Sequence, residues 1–408
     1  GAFNWDSATP LGIFGTSASG RTTALRQLAS SAAQAGLVTH VIGADLNQLA
    51  LPNAALAGSQ LDTFHPCEVL RLTQLALEGK LRGQLLLIDD LDCVGEAIDT
   101  VLGLGEGRDV LEKLVNASRR GLFALALAGD LANAPMRWCA NISQRLYLGV
   151  CSDTLADQAG LKRCQQAPNQ VGAGVLTLAS HWCAAQILLA PVLPDSAANL
   201  PASVVDSPAS ASDLPVNPSD TTTALAAAPV VALPEIVPIC PPWALGLGGD
   251  QAQPWCPQLS QGLVIIGPAG SGRSTALARV YDILQATDPT LAQHAIFIDN
   301  LDQACPSAIN TVETALDAGT PVFATALTSR AANTYSGALA QLRSLSPLLL
   351  LAPGLGEGTQ LTNVRLTRWL DPHRQHLPGR GLVIASSQIT PIQICQNTSP
   401  TFAANPQV

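Results

Sequence analysis

The chain has 408 residues, of which 47% are hydrophobic and 12% are charged, and it carries a formal net charge of −9 at pH 7. This length and composition predict two or three domains with well-filled cores and exclude a mainly disordered chain. The acidic balance, without a long cluster of arginine or lysine, also argues against a duplex-binding machine, so DNA is a poor candidate partner.

The first predicted element is a strand, LGIFG, which leads through a glycine-rich loop into a predicted helix, TTALRQLASSAAQ. The loop, GTSASGRT, fits the phosphate-binding pattern G-x-x-x-x-G-K-[ST] except that Arg21 stands where lysine is expected. Glycine lets the backbone N–H groups curl toward a phosphate, and the N-terminus of the following helix adds partial positive charge. The candidate nucleotide-binding residues are Gly15, Thr16, Ser17, Ala18, Ser19, Gly20, Arg21, Thr22 and Thr23.

An acidic strand end follows this loop, after about one additional βα unit that includes VTHVIGADL. The strand in GQLLLIDDLD ends at Asp89, which is a candidate Mg²⁺ ligand together with the hydroxyl of Thr22. Asp90 is the candidate catalytic base, but it is one methylene shorter than the glutamate that is usual beside the metal-binding aspartate. We therefore expect hydrolysis at this first site to be impaired.

The first copy closes with a strand in VGAGVLTL, which contains Gly172 and Gly174, and then reaches Gln186. We assign residues 1–190 to this domain. Residues 191–238 are rich in proline, alanine, serine and aspartate and show no sustained period, which predicts an extended linker.

The same landmarks return in a shorter second domain, which we assign to residues 239–396, followed by a tail over residues 397–408. Its loop, GPAGSGRS, again has arginine in place of lysine. The candidate nucleotide-binding residues of this copy are Gly267, Pro268, Ala269, Gly270, Ser271, Gly272, Arg273, Ser274 and Thr275. The repeated substitution suggests that both pockets hold a ligand rather than consume it, because arginine binds phosphate but places its charge differently from lysine.

The acidic strand of the second copy, HAIFIDNLD, makes Ser274 and Asp299 its candidate Mg²⁺ ligands. Asn300 follows Asp299, and an amide cannot accept a proton from water, so we expect this site to be catalytically dead. Thr328, at the end of the next buried strand, is weighed as a phosphate sensor against Ala128 near that place in the first copy, and a plain strand-end role is favoured. The domain then closes with PGRG and Gln393.

The repeated order of loop, acidic strand, second buried strand, glycine pair and glutamine indicates an internal duplication. Continuous apolar strands alternating with helical segments predict, in each copy, a mostly parallel sheet with helices on both faces. Asp92 and Asp302 are expected to be solvated loop charges. The ten cysteines form no CxxC pair, and we interpret them as small apolar side chains.

These residues together resemble the FtsK/SpoIIIE family of RecA-like motor ATPases, and most of all the tandem ATPase domains of type VII secretion ATPases. The resemblance is carried by GSGRSTAL from Gly270, by PGRG from Pro378, and by the lead-in WALGLGGDQAQPWCPQLSQGLVIIG. It covers both copies and leaves out the linker. The first copy departs from the pattern, because it has Ala173 where GRG has arginine.

The resemblance implies two tandem RecA-like P-loop NTPase domains that bind ATP and Mg²⁺, the first copy better than the second. It also implies a longer protein, anchored at the cytoplasmic face of the cell membrane by upstream transmembrane segments, with an active upstream ATPase domain. The chain opens on Gly1 and not on methionine, which fits that expectation. The downstream domains would regulate the motor, dock a small helical secreted substrate and assemble as a homo-hexamer.

Three hypotheses remain open from the sequence. In the first, the chain is a pair of degenerate nucleotide-binding modules of a secretion motor. In the second, it is an active ATP-hydrolysing translocase that uses Asp89 and Asp90. In the third, it is a nucleotide-free interaction scaffold. Nucleotide binding and steady-state ATP hydrolysis distinguish the three.

Overall fold

The computed structural model describes residues 5–49, 56–178, 181–187, 229–362, 364–385 and 388–396. Most of the predicted linker, residues 191–228, and the predicted tail, residues 397–408, lie outside these ranges. The described residues form two α/β units, each built on an eight-stranded sheet, so the predicted fold class is confirmed.

The first unit follows the predicted alternation of strands and helices. Its strands are β1 (Leu11–Gly15), β2 (Thr39–Gly43), β3 (Ala57–Asp62), β4 (Leu85–Ile88), β5 (Ala124–Asp130), β6 (Gln144–Leu148), β7 (Ala173–Leu178) and β8 (His181–Gln186). Its helices are α1 (Arg21–Gln34), α2 (Pro66–Leu77), α3 (Leu91–Leu102), α4 (Glu106–Arg119) and α5 (Asp153–Gln158). The sheet order is β3-β2-β4-β5-β1-β6-β7-β8, and only β7 runs against its neighbours.

The second unit repeats this plan with different edges. Its strands are β9 (Gly246–Gly248), β10 (Gln253–Trp255), β11 (Leu263–Gly267), β12 (Ile296–Ile298), β13 (Val322–Leu327), β14 (Leu348–Leu351), β15 (Arg380–Ala385) and β16 (Gln388–Ile394). Its helices are α6 (Arg273–Thr287), α7 (Pro289–His294), α8 (Pro306–Asp317), α9 (Thr328–Ala332), α10 (Ala338–Leu345) and α11 (Leu355–Thr362). The sheet order is β10-β9-β16-β15-β14-β11-β13-β12, parallel from β14 through β11 and β13 to β12 and antiparallel in the remaining pairs.

The cores explain why the central strands are apolar on both faces. In the first unit, Leu25 of α1 packs with Ile13 on one face of the sheet, while α2, α3 and α4 cover Phe14 and Ile88 on the other. The second unit is divided in the same way, with α6 on one face and α8 to α11 on the other. A strand buried on both faces has no polar side to present, so it reads as a continuous apolar run.

The topology confirms the internal duplication. The order β4-β5-β1-β6-β7-β8 in the first sheet corresponds strand by strand to β12-β13-β11-β14-β15-β16 in the second. The additional βα unit predicted for the first copy is β2 with β3 and α2, so it contains two strands and not one. The second unit instead adds the hairpin β9–β10 at the opposite edge of its sheet.

The two units meet along a seam that includes the last part of the predicted linker. Arg71 of α2 makes a two-pronged ion pair with Asp250, at 2.8 Å between Nη2 and Oδ2. The backbone N–H of Val230 donates to Ser59 Oγ at 3.0 Å, and Arg380 Nη2 donates to the carbonyl oxygen of Pro234 at 2.8 Å. Residues 229–238 are therefore packed against both units, which differs from the extended linker that composition predicts for them.

Cys139 is one of the buried cysteines. Burial raises the pKa of the Cys139 thiol to about 12, because a desolvated thiolate is unfavourable, so this side chain remains a neutral apolar group.

Within the described ranges, histidine, cysteine and acidic side chains form no group of three that could hold a metal ion. None of the helices among these residues combines the length and the apolar character needed to cross a bilayer.

Helices α3 and α4 approach each other so closely that only glycine fits at one contact. A Cβ atom on Gly107 would lie 2.1 Å from the carbonyl oxygen of Gly95. We predict that Gly107→Ala lowers the free energy of unfolding by roughly 2 kcal/mol, measured by chemical denaturation. Gly356→Ala is the control, since a Cβ there meets nothing within 4 Å and should leave stability unchanged or slightly raised. Equal effects of the two substitutions would contradict the close packing.

Candidate functional site

Both predicted loops form cradles between a buried strand and a helix. In the first, the N–H of Ser19 donates to the carbonyl oxygen of Thr16 at 3.2 Å; in the second, Ser271 donates to Pro268 at 3.3 Å. The side-chain oxygens Ser19 Oγ and Ser271 Oγ are shielded from solvent and have no hydrogen-bond partner in the described structure. Buried hydroxyls without a partner are costly, and a phosphate oxygen bound in the cradle would provide one.

The end of each loop adopts the left-handed backbone region that favours glycine. Gly20 has φ of 105° and Gly272 has φ of 93°, and each immediately precedes the helix that begins at the loop arginine. Two residues earlier in the loop, the first copy has Ala18 with φ of 58°, and the second copy has Gly270 with φ of 78°. An alanine in this region costs about 1–2 kcal/mol, so the first loop stores strain that the second does not.

The first glycine of the pair that closes each copy hydrogen-bonds to the phosphate loop. The N–H of Gly172 donates to the carbonyl oxygen of Ser19 at 3.1 Å, and that of Gly379 donates to Ser271 at 2.9 Å. A Cβ atom on Gly20 would already lie 3.6 Å from the Cα of Gly172, so the two backbones are in contact. The distant sequence landmarks therefore meet at the phosphate loop.

The repeated glutamine also lies at this contact. Gln186 Nε2 donates to the carbonyl oxygen of Val171 at 3.1 Å, and Gln393 Nε2 donates to that of Pro378 at 2.9 Å. Each amide thus holds the turn that delivers the closing glycine, which gives a physical reason for the glutamine in both copies. Arg380 adds a second bond to Gln393 Oε1 at 2.9 Å in the second unit.

The predicted Mg²⁺ ligands come together in both copies. Thr22 Oγ1 donates to Asp89 Oδ2 at 2.8 Å, and Ser274 Oγ donates to Asp299 Oδ2 at 2.8 Å. A hydroxyl and a carboxylate at the end of a phosphate loop are hard oxygen donors of the kind that Mg²⁺ prefers. The residues present therefore fit a Mg–nucleotide complex in either unit.

The two aspartates differ in their surroundings. Asp89 is half-buried beside β2, and its backbone N–H bonds to the carbonyl oxygen of Ile42 at 2.8 Å. Burial raises the pKa of Asp89, although the hydrogen bond from Thr22 and the positive charge of Arg21 act to lower that pKa. Asp299 is exposed, because β12 is the edge strand of its sheet.

The residue after each aspartate does not extend toward the loop. Asp90 has φ of 59° and caps helix α3, accepting a 3.4 Å hydrogen bond from the N–H of Cys93. Asn300 stands at the equivalent position with φ of 56°. Aspartate and asparagine are the non-glycine residues that best tolerate this left-handed conformation. The predicted catalytic base is therefore a helix cap in the structure.

Thr325 is a site residue that sequence reasoning missed. Its hydroxyl donates to Asp299 Oδ1 and accepts from the N–H of Asn300, the latter at 2.8 Å. Strand register pairs Gly267 with Leu327 and Gly15 with Asp130, so Ala128 corresponds to Thr325 and not to Thr328. Thr328 itself is buried at the start of α9.

Asp130 is a further site residue that the sequence motifs did not predict. It ends β5, which lies between β4 and β1, and it is paired in register with Gly15 at the start of the loop. Its Oδ1 accepts from the N–H of Ala132 at 3.0 Å. An acidic residue directly after the apolar run ALALAG was the available signal, since the carboxyl ends of parallel strands share one edge of the sheet.

The expectation for Asp302 was wrong. Asp92 is exposed as expected, but it lies in the first turn of α3 and not in a loop, and it accepts from Asn133 Nδ2 at 3.0 Å. The Asp302 side chain is only 2% exposed, lies 3.6 Å from Arg330 Nε, and accepts from the N–H of Leu327 at 3.3 Å. It ties the turn after β12 to the end of β13, next to the Asp299 cluster. Position in a turn suggested solvent exposure, but the turn is covered by α9 and its neighbours.

Comparison with known proteins was made at the levels of sequence and of structure. No family model and no curated protein matches the sequence. Among solved structures, EssC (ATPases 2 and 3) from Geobacillus thermodenitrificans is 12% identical, with a TM-score of 0.57, covering 96% of this chain and 92% of that one. EccC (ATPases 2 and 3) from Thermomonospora curvata, in complex with a signal sequence peptide, is 14% identical, with a TM-score of 0.53, covering 96% and 89%.

The chain has the fold of tandem type VII secretion ATPase domains. The larger cytoplasmic domain of Thermomonospora curvata EccC is 15% identical, with a TM-score of 0.50, and the match covers 57% of its length. These likenesses confirm the expected fold, two consecutive P-loop ATPase domains. At such low identity these likenesses show the fold, and the chemistry of the sites depends on this chain's own residues.

The geometry around Asp90 predicts a structural role that substitution can test. We expect Asp90→Ala to lower the free energy of unfolding by roughly 1–3 kcal/mol, because it removes a helix cap and places alanine in the left-handed region. Asp90→Asn should keep the cap and the backbone, and it should change neither stability nor any ATP turnover. Chemical denaturation and a phosphate-release assay measure the two properties. Loss of turnover in Asp90→Asn at unchanged stability would restore Asp90 as a base.

Proposed function

We propose that this chain is a pair of nucleotide-holding modules that regulate a type VII secretion-like motor. The observation that carries the proposal is the repeated hydroxyl–carboxylate pair beside each phosphate loop, Thr22 with Asp89 and Ser274 with Asp299. Binding groups are thus present in both units, while the group expected to activate water is committed to a helix cap or replaced by an amide.

The groups that would hold ATP in the first unit follow from the loop. The backbone N–H groups and the N-terminus of α1 would bind the phosphates, and the buried hydroxyl of Ser19, which has no partner among the described residues, would bond to a phosphate oxygen. Arg21 supplies the positive charge, and Thr22 with Asp89 would hold Mg²⁺. A bound Mg²⁺ would neutralise phosphate charge. In the second unit, Arg273 has a buried Nη1 without a partner, which a bound anion would satisfy.

The first unit is the better candidate for tight Mg–ATP binding. In the second unit both carboxylate oxygens of Asp299 already accept hydroxyl hydrogen bonds, from Ser274 and from Thr325. In the first unit Ala128 replaces that threonine, and among the described residues Asp89 Oδ1 accepts only from the N–H of Asp90, at 3.1 Å. A carboxylate whose oxygens already accept hydrogen bonds from protein hydroxyls gains less free energy by binding a hydrated metal ion.

One residue, Asp130, supports the hypothesis that the first unit is an active enzyme. This carboxylate lies at the strand end between the loop and Asp89, where it would act as a base if the first site hydrolyses ATP. Its Oδ1 accepts from the N–H of Ala132, a capping bond like the one that Asp90 makes to Cys93, so what favours Asp130 is its place between the loop and Asp89. Slow hydrolysis that depends on Asp130 would therefore favour an active first unit.

Binding measurements on the full chain test the proposal. We predict two nucleotide sites, with Arg21→Ala weakening the tighter site about tenfold, which corresponds to about 1.4 kcal/mol, and Arg273→Ala changing only the weaker site. Calorimetry with Mg–ATPγS measures both. Steady-state phosphate release should be slower than about 0.1 per second, roughly a hundredth of a typical turnover number.

Two results would contradict this assignment. Rapid phosphate release that is abolished by Asp130→Asn would replace the holding role with catalysis. No nucleotide binding at either site, in a chain that is folded by circular dichroism, would favour the nucleotide-free scaffold.

The proposed partners follow from the same assignment. We propose that the chain acts at the cytoplasmic face of the membrane, next to an upstream ATPase domain and transmembrane segments of one longer protein, and that it assembles as a homo-hexamer. We further propose that its second unit docks a small helical secreted substrate. A groove of about 490 Å³ between α8, α9 and α10, with Leu301, Ile309 and Leu339 in its wall, supports this docking.

A charge placed in this groove tests the docking proposal. Ile309→Arg should weaken binding of a helical type VII signal peptide at least tenfold, because it puts an unpaired guanidinium where an apolar helix face would pack. Fluorescence anisotropy of a labelled peptide measures the affinity. Asn310→Arg, on the exposed neighbouring position of α8, is the matched control. Equal affinities for both variants would place docking elsewhere.

A further inference from the structure

The two sheets end differently at the edge beyond their closing strands. In the second unit, β16 is covered by the hairpin β9–β10, with Gly246, Leu247 and Gly248 paired to Ile394, Gln393 and Ile392. In the first unit, the equivalent strand β8 is the last strand of the described sheet. Among the described residues, the same edge is therefore paired in one copy and unpaired in the other.

Equivalent residues on the two edge strands show the consequence. Gln393 is 1% exposed and Ile392 and Ile394 are 0% and 4% exposed, so the second edge is part of a core. Their counterparts are Gln186, which is exposed, and Ala185 and Ile187, which are only partly buried. Nearby, Val171 is 80% exposed and Trp182 is 45% exposed.

The backbone of β8 is ready to pair with another strand. The N–H of Ile187 donates inward to the carbonyl oxygen of Gly172 at 2.8 Å, as Ile394 does to Gly379 at 2.9 Å. By the alternation of an antiparallel ladder, the N–H groups of Gln186 and Ala184 point to the open side. An exposed edge of this kind is a template for strand addition.

The amino-acid sequence before each unit identifies which segment belongs there. QAQPW, ending at Trp255, matches GAFNW, ending at Trp5, at the alanine and at the tryptophan. Trp5 and Trp255 pack on corresponding cores, beside α1 and α6. In the second unit the strand just before this match is β9, and the N–H of Leu245 donates to the carbonyl oxygen of Trp255 at 2.9 Å.

We propose that β8 is the docking edge for a strand of the same polypeptide N-terminal to Gly1, with the pattern Leu-Gly-apolar-Gly found around β9. Glycine is required because a Cβ atom on Gly246 would lie 2.1 Å from the carbonyl oxygen of Gln393. A leucine is expected because Leu245 is fully buried in the core with Ile392 and Ile394 of β16.

A graft tests the proposal on the full chain. A copy of residues 243–250 is fused directly before Gly1, so that GAFNW follows the copy as QAQPW follows residues 243–250 in the sequence. Hydrogen exchange of Gln186 and Ala184 should slow at least about tenfold, because their N–H groups gain strand partners. The matched control carries Gly246→Val within the copied segment, and it should exchange like the unextended chain.

Three results would overturn the proposal. The first is unchanged exchange at β8 in the graft. The second is equal protection by the graft and by its valine control, which would show that covering the edge does not depend on this strand pattern. The third is prior protection of Gln186 in an unextended chain that sediments as a dimer, which would make a second copy the occupant of β8.

Discussion

The site depends first on one backbone hydrogen bond, from the glycine that begins the closing strand to the carbonyl oxygen of the serine in the phosphate loop. It is present in both units, between Gly172 and Ser19 and between Gly379 and Ser271. Both glycines have φ near 76°, which other residues rarely adopt. The parallel half of each sheet thus provides the chemical groups, while the antiparallel half fixes the loop that presents them.

The strands added at opposite edges explain how two copies of one plan came to differ. β2 and β3 extend the first sheet past β4, so Asp89 is half-buried and its pKa is raised by desolvation. The second sheet ends at β12, which leaves Asp299 exposed and held by its own hydroxyl neighbours. Its additional hairpin lies at the other edge, where it buries Gln393 and not the nucleotide site. The strands added at one edge therefore change the surroundings of the candidate metal ligand, and those added at the other bury the glutamine that supports the loop.

The sequence predicted those parts of the site that local patterns encode, and it missed those that strand register creates. The loops, Asp89, Asp299 and the closing glycines follow from composition and spacing along single segments. Thr325 and Asp130 become site residues only through pairing with the neighbouring strands. The sequence alone places Ala128 near the position of Thr328, whereas strand register matches Ala128 with Thr325. The packing of residues 229–238 could likewise not be predicted, because a proline-rich segment has the same composition whether it is solvated or packed against another surface.

The left-handed backbone at Asp90 and Asn300 limits which side chains can follow the aspartate at the end of each acidic strand. Only glycine, aspartate and asparagine take this conformation readily, and a glutamate there would cost about 1–2 kcal/mol. A short carboxylate in this conformation reaches the N–H of the helix start, and its hydrogen bond to Cys93 shows that it does so. The bend at the start of α3 thus directs this carboxylate to the helix N-terminus. Replacing Asp90 by glutamate alone would lengthen the side chain but keep the backbone bend that sets its direction, so the holding role proposed for this site depends on the backbone as much as on the side chain.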